Sequence, residues 1–267
     1  MPTPPSRRTA IVAWIALLAC APGLARAGTR LDVTTEARFD DPPTLRLTVV
    51  DVGDADADDV VPEIHFLHRT VVGDAAHLTP GTQHEWRLAL FAPPRPGTFA
   101  PTGRVRYVDA LGERASVPVA ALFATPGAPA TAVGARLEVG AIGLASSGRV
   151  VLDNGGTDAI AGRVAFLLPD GLGTEPESLP AQVPGGRQTV VQFTVERRGG
   201  PPPGEYPVYA LFEYTADAVQ HAALARTIVR VAEGDDGRRA RPLLVGGAAL
   251  AIALALLAVA WRRSARR

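Results

Sequence analysis

Apolar and polar positions alternate with a period of two through much of this chain. Leu45, Leu47 and Val49 alternate with Thr44, Arg46 and Thr48, and Ile64 and Phe66 with Glu63 and His65. Trp86, Leu88 and Leu90 alternate with Glu85, Arg87 and Ala89. Successive side chains of a strand point to opposite faces, so this pattern predicts half-buried strands with one face on a core. Turn-forming stretches separate them at Val52 to Asp58, Thr79 to Thr82, Pro93 to Gly97 and Asp109 to Gly112. No segment ahead of residue 240 carries the spacing of an amphipathic helix. Short strands with frequent turns predict an all-β fold of the sandwich type.

The pattern occurs twice. Val49 to Leu67 (VVDVGDADADDVVPEIHFL) parallels Val150 to Leu168 (VVLDNGGTDAIAGRVAFLL), each a strand, a polar glycine-containing turn and a strand. Pro80 and Gly81 open the strand around Trp86, as Pro184 and Gly185 open the one around Phe193. Pro96, Gly97 and Phe99 correspond to Pro203, Gly204 and Tyr206; a second aromatic, Tyr107 or Tyr214, follows eight residues later and is expected on the same strand face. A repeat on this scale predicts two tandem sandwiches, residues 28–125 and 132–233, joined by a short stiff linker at 126–131.

The order of strand, "VGDADADDV" turn, strand, "PG" strand and "PG-x-aromatic" strand resembles bacterial immunoglobulin-like modules. It is most similar to the cell-adhesion-related domains of bacteria and to the sandwich domain that accompanies carbohydrate-binding modules in some α-galactosidases. The resemblance covers about 200 of the 267 residues. It implies two immunoglobulin-like sandwiches, with adhesion or carbohydrate binding as family functions.

The two ends set an address. Arg7 and Arg8 precede the apolar stretch Ala10 to Cys20, and Ala25 and Ala27 supply an A-x-A cleavage site, so residues 1–27 read as a secretory signal with Gly28 as the first mature residue. Alternatives are acylation of Cys20, after Leu17, Leu18 and Ala19, or an uncleaved anchor. Residues 242–261 (PLLVGGAALAIALALLAVAW) are uncharged, and at 1.5 Å per residue this run would span about 30 Å, the thickness of a bilayer core. Trp261 stands at its inner edge, followed by Arg262, Arg263, Arg266 and Arg267, which predicts an outside N-terminus and a cytoplasmic tail at 262–267. Residues 234–241 form the juxtamembrane link. Gly246, Gly247 and the alanines of the span would also suit close helix packing, and glycines, apolar run and arginines together resemble a bacterial sorting signal.

Charge and composition then narrow the function. All 27 basic residues are arginine, and the overall charge is zero. Between Gly28 and Gly237, 17 arginines face 27 acidic residues, a net charge of −10, which argues against a nucleic-acid partner. The one cysteine, Cys20, falls in the expected signal, so no disulfide is expected in the mature chain.

Candidate chemistry is sparse. Asp54, Asp56 and Asp58 alternate in an acidic loop that also holds Asp59; spaced carboxylates suit calcium, but counting from Asp54 puts Asp59 and His65 where an EF-hand needs glycine and glutamate. Four of the five histidines, His65, His68, His77 and His84, cluster within twenty residues. His65 and His68, placed on one strand three residues apart, are expected to point to opposite faces. These five, Asp54, Asp56, Asp58, His65 and His68, are the metal candidates, and a solvated turn with surface histidines is the plainer alternative. Ser116, Ser146, Ser147 and Ser178 lie in no nucleophile motif, and Glu175 and Glu177 sit in a proline-flanked loop, 171–180, without a second wall. No catalytic residue and no cofactor are expected. The expectation is a noncatalytic extracytoplasmic interaction protein, tethered by one span and meeting a protein or cell-envelope partner through loops at 52–59 and 171–180. The alternatives are an accessory subunit of a membrane transport or envelope-assembly complex, and a carbohydrate-binding module.

Overall fold

Among the residues that the computed structural model describes, 28–40, 42–199 and 203–232, every regular element is a strand. The expected signal at 1–27 with Ala25 and Ala27, the 234–241 link, the 242–261 span and the 262–267 tail all lie outside the described residues. Among the described residues no helix is long and apolar enough to cross a membrane.

The first half of the chain forms β1 (Leu31–Arg38), β2 (Thr44–Asp51), β3 (Ala57–Phe66), β4 (Arg69–Val72), β5 (Ala76–Leu78), β6 (Gln83–Ala89), β7 (Thr98–Phe99), β8 (Thr102–Val108), β9 (Arg114–Ala120) and β10 (Phe123–Ala124). The second half forms β11 (Val133–Val139), β12 (Ala145–Asn154), β13 (Ile160–Leu167), β14 (Leu172–Thr174), β15 (Ser178–Val183), β16 (Gln188–Arg197), β17 (Gly204–Ala216) and β18 (Val219–Val231). In the first half a sheet of order β1-β2-β6 faces one of order β4-β3-β8-β9, with β5 also pairing β3 and β7 pairing β10. In the second half β11-β12-β16-β14 faces β15-β13-β17-β18. Neighbouring strands run antiparallel, which lets one face of each sheet stay wet while the other meets the core.

Each pair of sheets encloses its own apolar cluster. Leu45, Leu47 and Val49 of β2, Ile64 and Phe66 of β3, and Trp86 and Leu88 of β6 are buried in the first, as the alternation predicts. Phe66, Phe99 and Phe123 close one end of it, with ring centroids 5.5 to 6.1 Å apart. Val150 and Leu152 of β12, Val164 of β13, Phe193 and Val195 of β16, and Val208, Ala210 and Phe212 of β17 build the second. Phe193 packs on Phe166 at 4.1 Å and lies over Gly148 across the ladder, where a Cβ would fall 2.4 Å from the ring.

The two clusters are joined by a packed seam. In β9, Val117 and Val119 face the first core, yet Ser116, Pro118 and Ala120 on the other face are also buried. In β17, Tyr209 and Leu211 point away from the second core and are nevertheless buried. β9 packs against β17, and β7 against β18, so each surface covers the other. Arg104 pairs with Asp170 at 2.9 Å across the junction, and Gly97 makes a bridge to Gln220 beside which a Cβ would fall 2.6 Å from the Gln220 carbonyl oxygen.

Three local expectations change. Phe99 and Tyr107 do not share a strand: Pro101, which has no N–H to donate, separates β7 from β8, whereas Tyr206 and Tyr214 both lie on β17. The 171–180 stretch is not one open loop, because Leu172–Thr174 pairs with β16 and buries Leu172 and Thr174, and Ser178 to Pro180 opens β15; the exposed tip is Glu175, Pro176 and Glu177. His68 is not on a strand. With Leu67 it forms a two-residue turn at φ of 48° and 60° that joins β3 to β4.

Candidate functional site

Strand β2 ends at Asp51, and the acidic turn begins there. Asp51 Oδ1 accepts a hydrogen bond from Gly53 N at 2.8 Å, an Asx turn that bends the chain out of the sheet. The side chain is 0% exposed, and its Oδ2 has no hydrogen-bond partner. Burial pushes its carboxyl above the usual carboxylate range, opposed by the Gly53 and Arg30 backbone N–H groups and reinforced by Asp56 and Asp54.

The turn is stitched to the first described residues. Val52 N donates to Arg30 O at 2.8 Å, Asp54 N to Gly28 O at 3.2 Å, and Gly28 N to Asp54 Oδ1 at 2.5 Å. Thr29 Oγ1 donates to Asp56 O at 2.8 Å and accepts from Ala110 N at 3.1 Å. A Cβ on Gly53 would fall 2.3 Å from Gly28 O and 2.6 Å from Arg30 N, so this approach requires glycine. The acidic loop is therefore a seam that holds the beginning of the described chain, and its carboxylates diverge. Asp54 faces Gly28, while Asp58 Oδ1 lies 2.6 Å from His77 Nδ1 and Asp56 Oδ2 lies 3.9 Å from His77 Nε2.

The metal candidates are not gathered. His65 Nδ1 lies 3.0 Å from Thr70 Oγ1 and its Nε2 lies 3.7 Å from Glu63, while His68 stands apart in its turn. Asp54, Asp56 and Asp58 do not share a site with either histidine, and no group of three or more His, Cys, Asp or Glu among the described residues is placed to hold a metal ion. The neighbour that matters, His77 on β5, comes from the histidine cluster but was not paired with these aspartates by spacing. β5 returns along β3 through an irregular register between Ala57 and Val60, and that places it.

The aromatics that a sugar site would display are largely internal. Trp86, Tyr107 and Tyr214 are buried and Tyr206 half-buried; Trp86 Nε1 donates to Asp74 O at 2.9 Å, and Tyr214 OH accepts from Ala132 N at 3.2 Å. Two concavities stand out. One, of about 700 Å³, crosses β11, β12 and β16, and its Arg149 is tied to Glu138 at 2.6 Å. The other, of about 400 Å³, lies at the junction of the two halves between Thr35, Ala120, Tyr209 and Arg226. Neither lining places a nucleophile beside a base.

A buried histidine completes the titratable set. His221 on β18 is 4% exposed, stacks on Tyr214 at 4.9 Å, and has no hydrogen-bond partner at Nδ1. Burial lowers its pKa, with a smaller opposing pull from Asp217. Nothing in the sequence pattern singled it out.

No family model and no curated protein matches this chain. Among solved structures it is similar to a red sea bream transglutaminase at 10% identity and a TM-score of 0.28, covering 75% of this chain and 31% of that one. It is also similar to a protein of unknown function from Porphyromonas gingivalis W83 at 14% identity and a TM-score of 0.26, covering 72% of this chain and 98% of that one. The chain thus spans about a third of the transglutaminase's length, and neither likeness carries an argument about activity.

Proposed function

We propose that this chain is a noncatalytic extracytoplasmic interaction protein built from two immunoglobulin-like sandwiches. In this reading residues 1–27 direct export and are removed after Ala27, and 242–261 hold the chain in the membrane with residues 262–267 inside. The observation that carries the proposal is the buried seam between β9 and β17. A flexible pair of modules would leave Ser116, Pro118, Ala120, Tyr209 and Leu211 wet, whereas here they are covered. Two cores fixed to one another suit a rigid support that displays loops. β18 ends at Val231, so the ten residues from Ala232 to Arg241 allow a tether of at most about 35 Å.

The exposed acidic side chains of Asp56, Asp58 and Asp59, where the turn passes into β3, and the loop tip Glu175 to Glu177 are the surfaces offered to a partner, and their charge favours one with basic groups. Cross-linking in native membranes followed by mass spectrometry is the test, run on wild type and on a chain whose 242–261 segment is exchanged for an unrelated apolar helix. A partner captured by both, and lost when Asp58, Asp59, Glu175 and Glu177 are neutralised, supports display by a tethered ectodomain. A partner lost on exchanging the helix would instead make the chain a helix-packed accessory subunit. Retention of the chain in the soluble fraction would remove the tether.

A further inference from the structure

We infer that the 51–56 turn is a receptor for the mature N-terminus, with the Asp54 carboxylate pairing the α-ammonium of Gly28. The inference rests on the proposed cleavage after Ala27. Hydrolysis of the Ala27–Gly28 bond consumes one water and leaves a carboxylate on Ala27 and an amine on Gly28, protonated at neutral pH. Gly28 N already lies 2.5 Å from Asp54 Oδ1, so cleavage turns an amide contact into an ion pair without moving an atom of the turn.

The internal repeat supplies a comparison. Leu31 pairs with Asp51 as Val133 pairs with Asn154, and Gly53 N bonds Asp51 Oδ1 as Gly156 N bonds Asn154 Oδ1. Counting on from these, Thr157 stands where Asp54 stands, and Ala130 where Gly28 stands. Ala130 is an interior residue of the linker and can carry no terminal charge, and its turn has a neutral threonine. The carboxylate occurs in the copy where an ammonium would arise. The seam also fixes register: Thr29 Oγ1, Arg30 O and Gly28 O are each engaged, which places the backbone nitrogen of residue 28, and no later one, at Asp54.

Several charges surround this pair. Asp51 and Asp56 lie on the turn itself, Arg30 follows two residues after Gly28 just ahead of β1, Asp109 stands beside Ala110 in the β8–β9 turn, and His77 approaches from β5 through Asp56 and Asp58. The carboxylates outnumber the cations, so the amine is expected to hold its proton more tightly folded than unfolded.

The absence of lysine makes the test direct, because the α-amine is the only primary amine in the mature chain. Full-length protein is expressed with its leader and extracted from membranes, and its intact mass gives the first residue. Its amine is then acylated at a series of pH values. A start at Gly28 is expected, with the wild-type amine titrating about one unit above the usual 7.7–8.0 and reacting about tenfold more slowly at pH 7 than in Asp54→Asn. Asp54→Glu should keep part of the shift. The Tm of Asp54→Asn should fall by about 2–4 °C at pH 6 and match wild type at pH 10, where the amine is neutral. A different first residue overturns both the cleavage and the capture. A start at Gly28 with an unshifted amine overturns the capture alone, and that titration needs only wild type should Asp54→Asn not fold.

Discussion

Asp51 and Asn154 occupy the same place in the two copies, at the buried end of the second strand, and each accepts from the amide two residues on. Asn154 also uses its Nδ2 to donate to Asp158 O at 2.8 Å and Val183 O at 3.1 Å, whereas Asp51 Oδ2 is unpartnered. Burial raises the Asp51 carboxyl, so the fold binds that proton more tightly than the unfolded chain does. Its stabilising effect is complete below the unfolded value of about 3.9 and is lost as pH rises through the folded one. Asp51→Asn should therefore stabilise the protein by about 1 kcal/mol at pH 7 and less at pH 3, read by urea unfolding at both. His221 works in the opposite sense. Its lowered pKa leaves stability intact above the unfolded value of about 6.5 and removes it as pH falls from there. His221→Phe keeps the ring on Tyr214 and should flatten the Tm profile between pH 7 and pH 5. The sequence alignment of the copies set Asp51 against Leu152, two residues off. A shift of two preserves every strand face, so alternation alone does not detect it.

The strands themselves were the most legible elements. Leu45, Leu47, Val49, Ile64, Phe66, Trp86 and Leu88 are buried as their period requires, because one core face was strongly apolar. The Asp109–Gly112 turn that joins β8 to β9 was legible, but two other hairpin turns were not. Leu67–His68 joins β3 to β4, and Asp217–Ala218, at φ of 50° and 62°, joins the two long strands β17 and β18. Both are left-handed pairs of the kind that favours Asn-Gly, and neither contains glycine, so the usual signal was missing. The strain is held by the ladders on either side. Replacing Asp217–Ala218 with Asn-Gly should stabilise the β17–β18 hairpin by about 1 kcal/mol, seen as a higher urea midpoint with unchanged slope. The short β14 was missed for a similar reason: three residues flanked by Gly171 and a proline carry no period, and their pairing to β16 is decided by that neighbour.

Across the molecule, the seam between the halves governs behaviour. Tyr209 lies on the outer face of its sheet and is 3% exposed, with Arg226 over its ring at 5.9 Å. Tyr209→Ala should cost about 3 kcal/mol, since the cavity opens between two rigid sheets. It should also split one calorimetric unfolding transition into two, because each half keeps its own core. A transition that stays single would mean that the remaining contacts, Arg104 to Asp170 among them, couple the halves unaided. The candidate site was only partly visible in the sequence. The spaced aspartates stood out, but their partners, Gly28, Thr29 and His77, are 19 to 27 residues away for the named bonds and reach them through pairing of β1 with β2 and of β5 with β3.

What the sequence determined alone is the class of element and, for the strands with a clear period, which face meets a core, because those follow from local alternation of apolar and polar side chains. It also carried the duplicated turn and strand pattern, since similar chemistry recurs along the chain. The tertiary structure decided which surfaces are covered twice, where the acidic turn spends its carboxylates, and which residues of the copies correspond. Those depend on contacts between strands distant in sequence, where burial and backbone geometry act on pairs that no local pattern can specify.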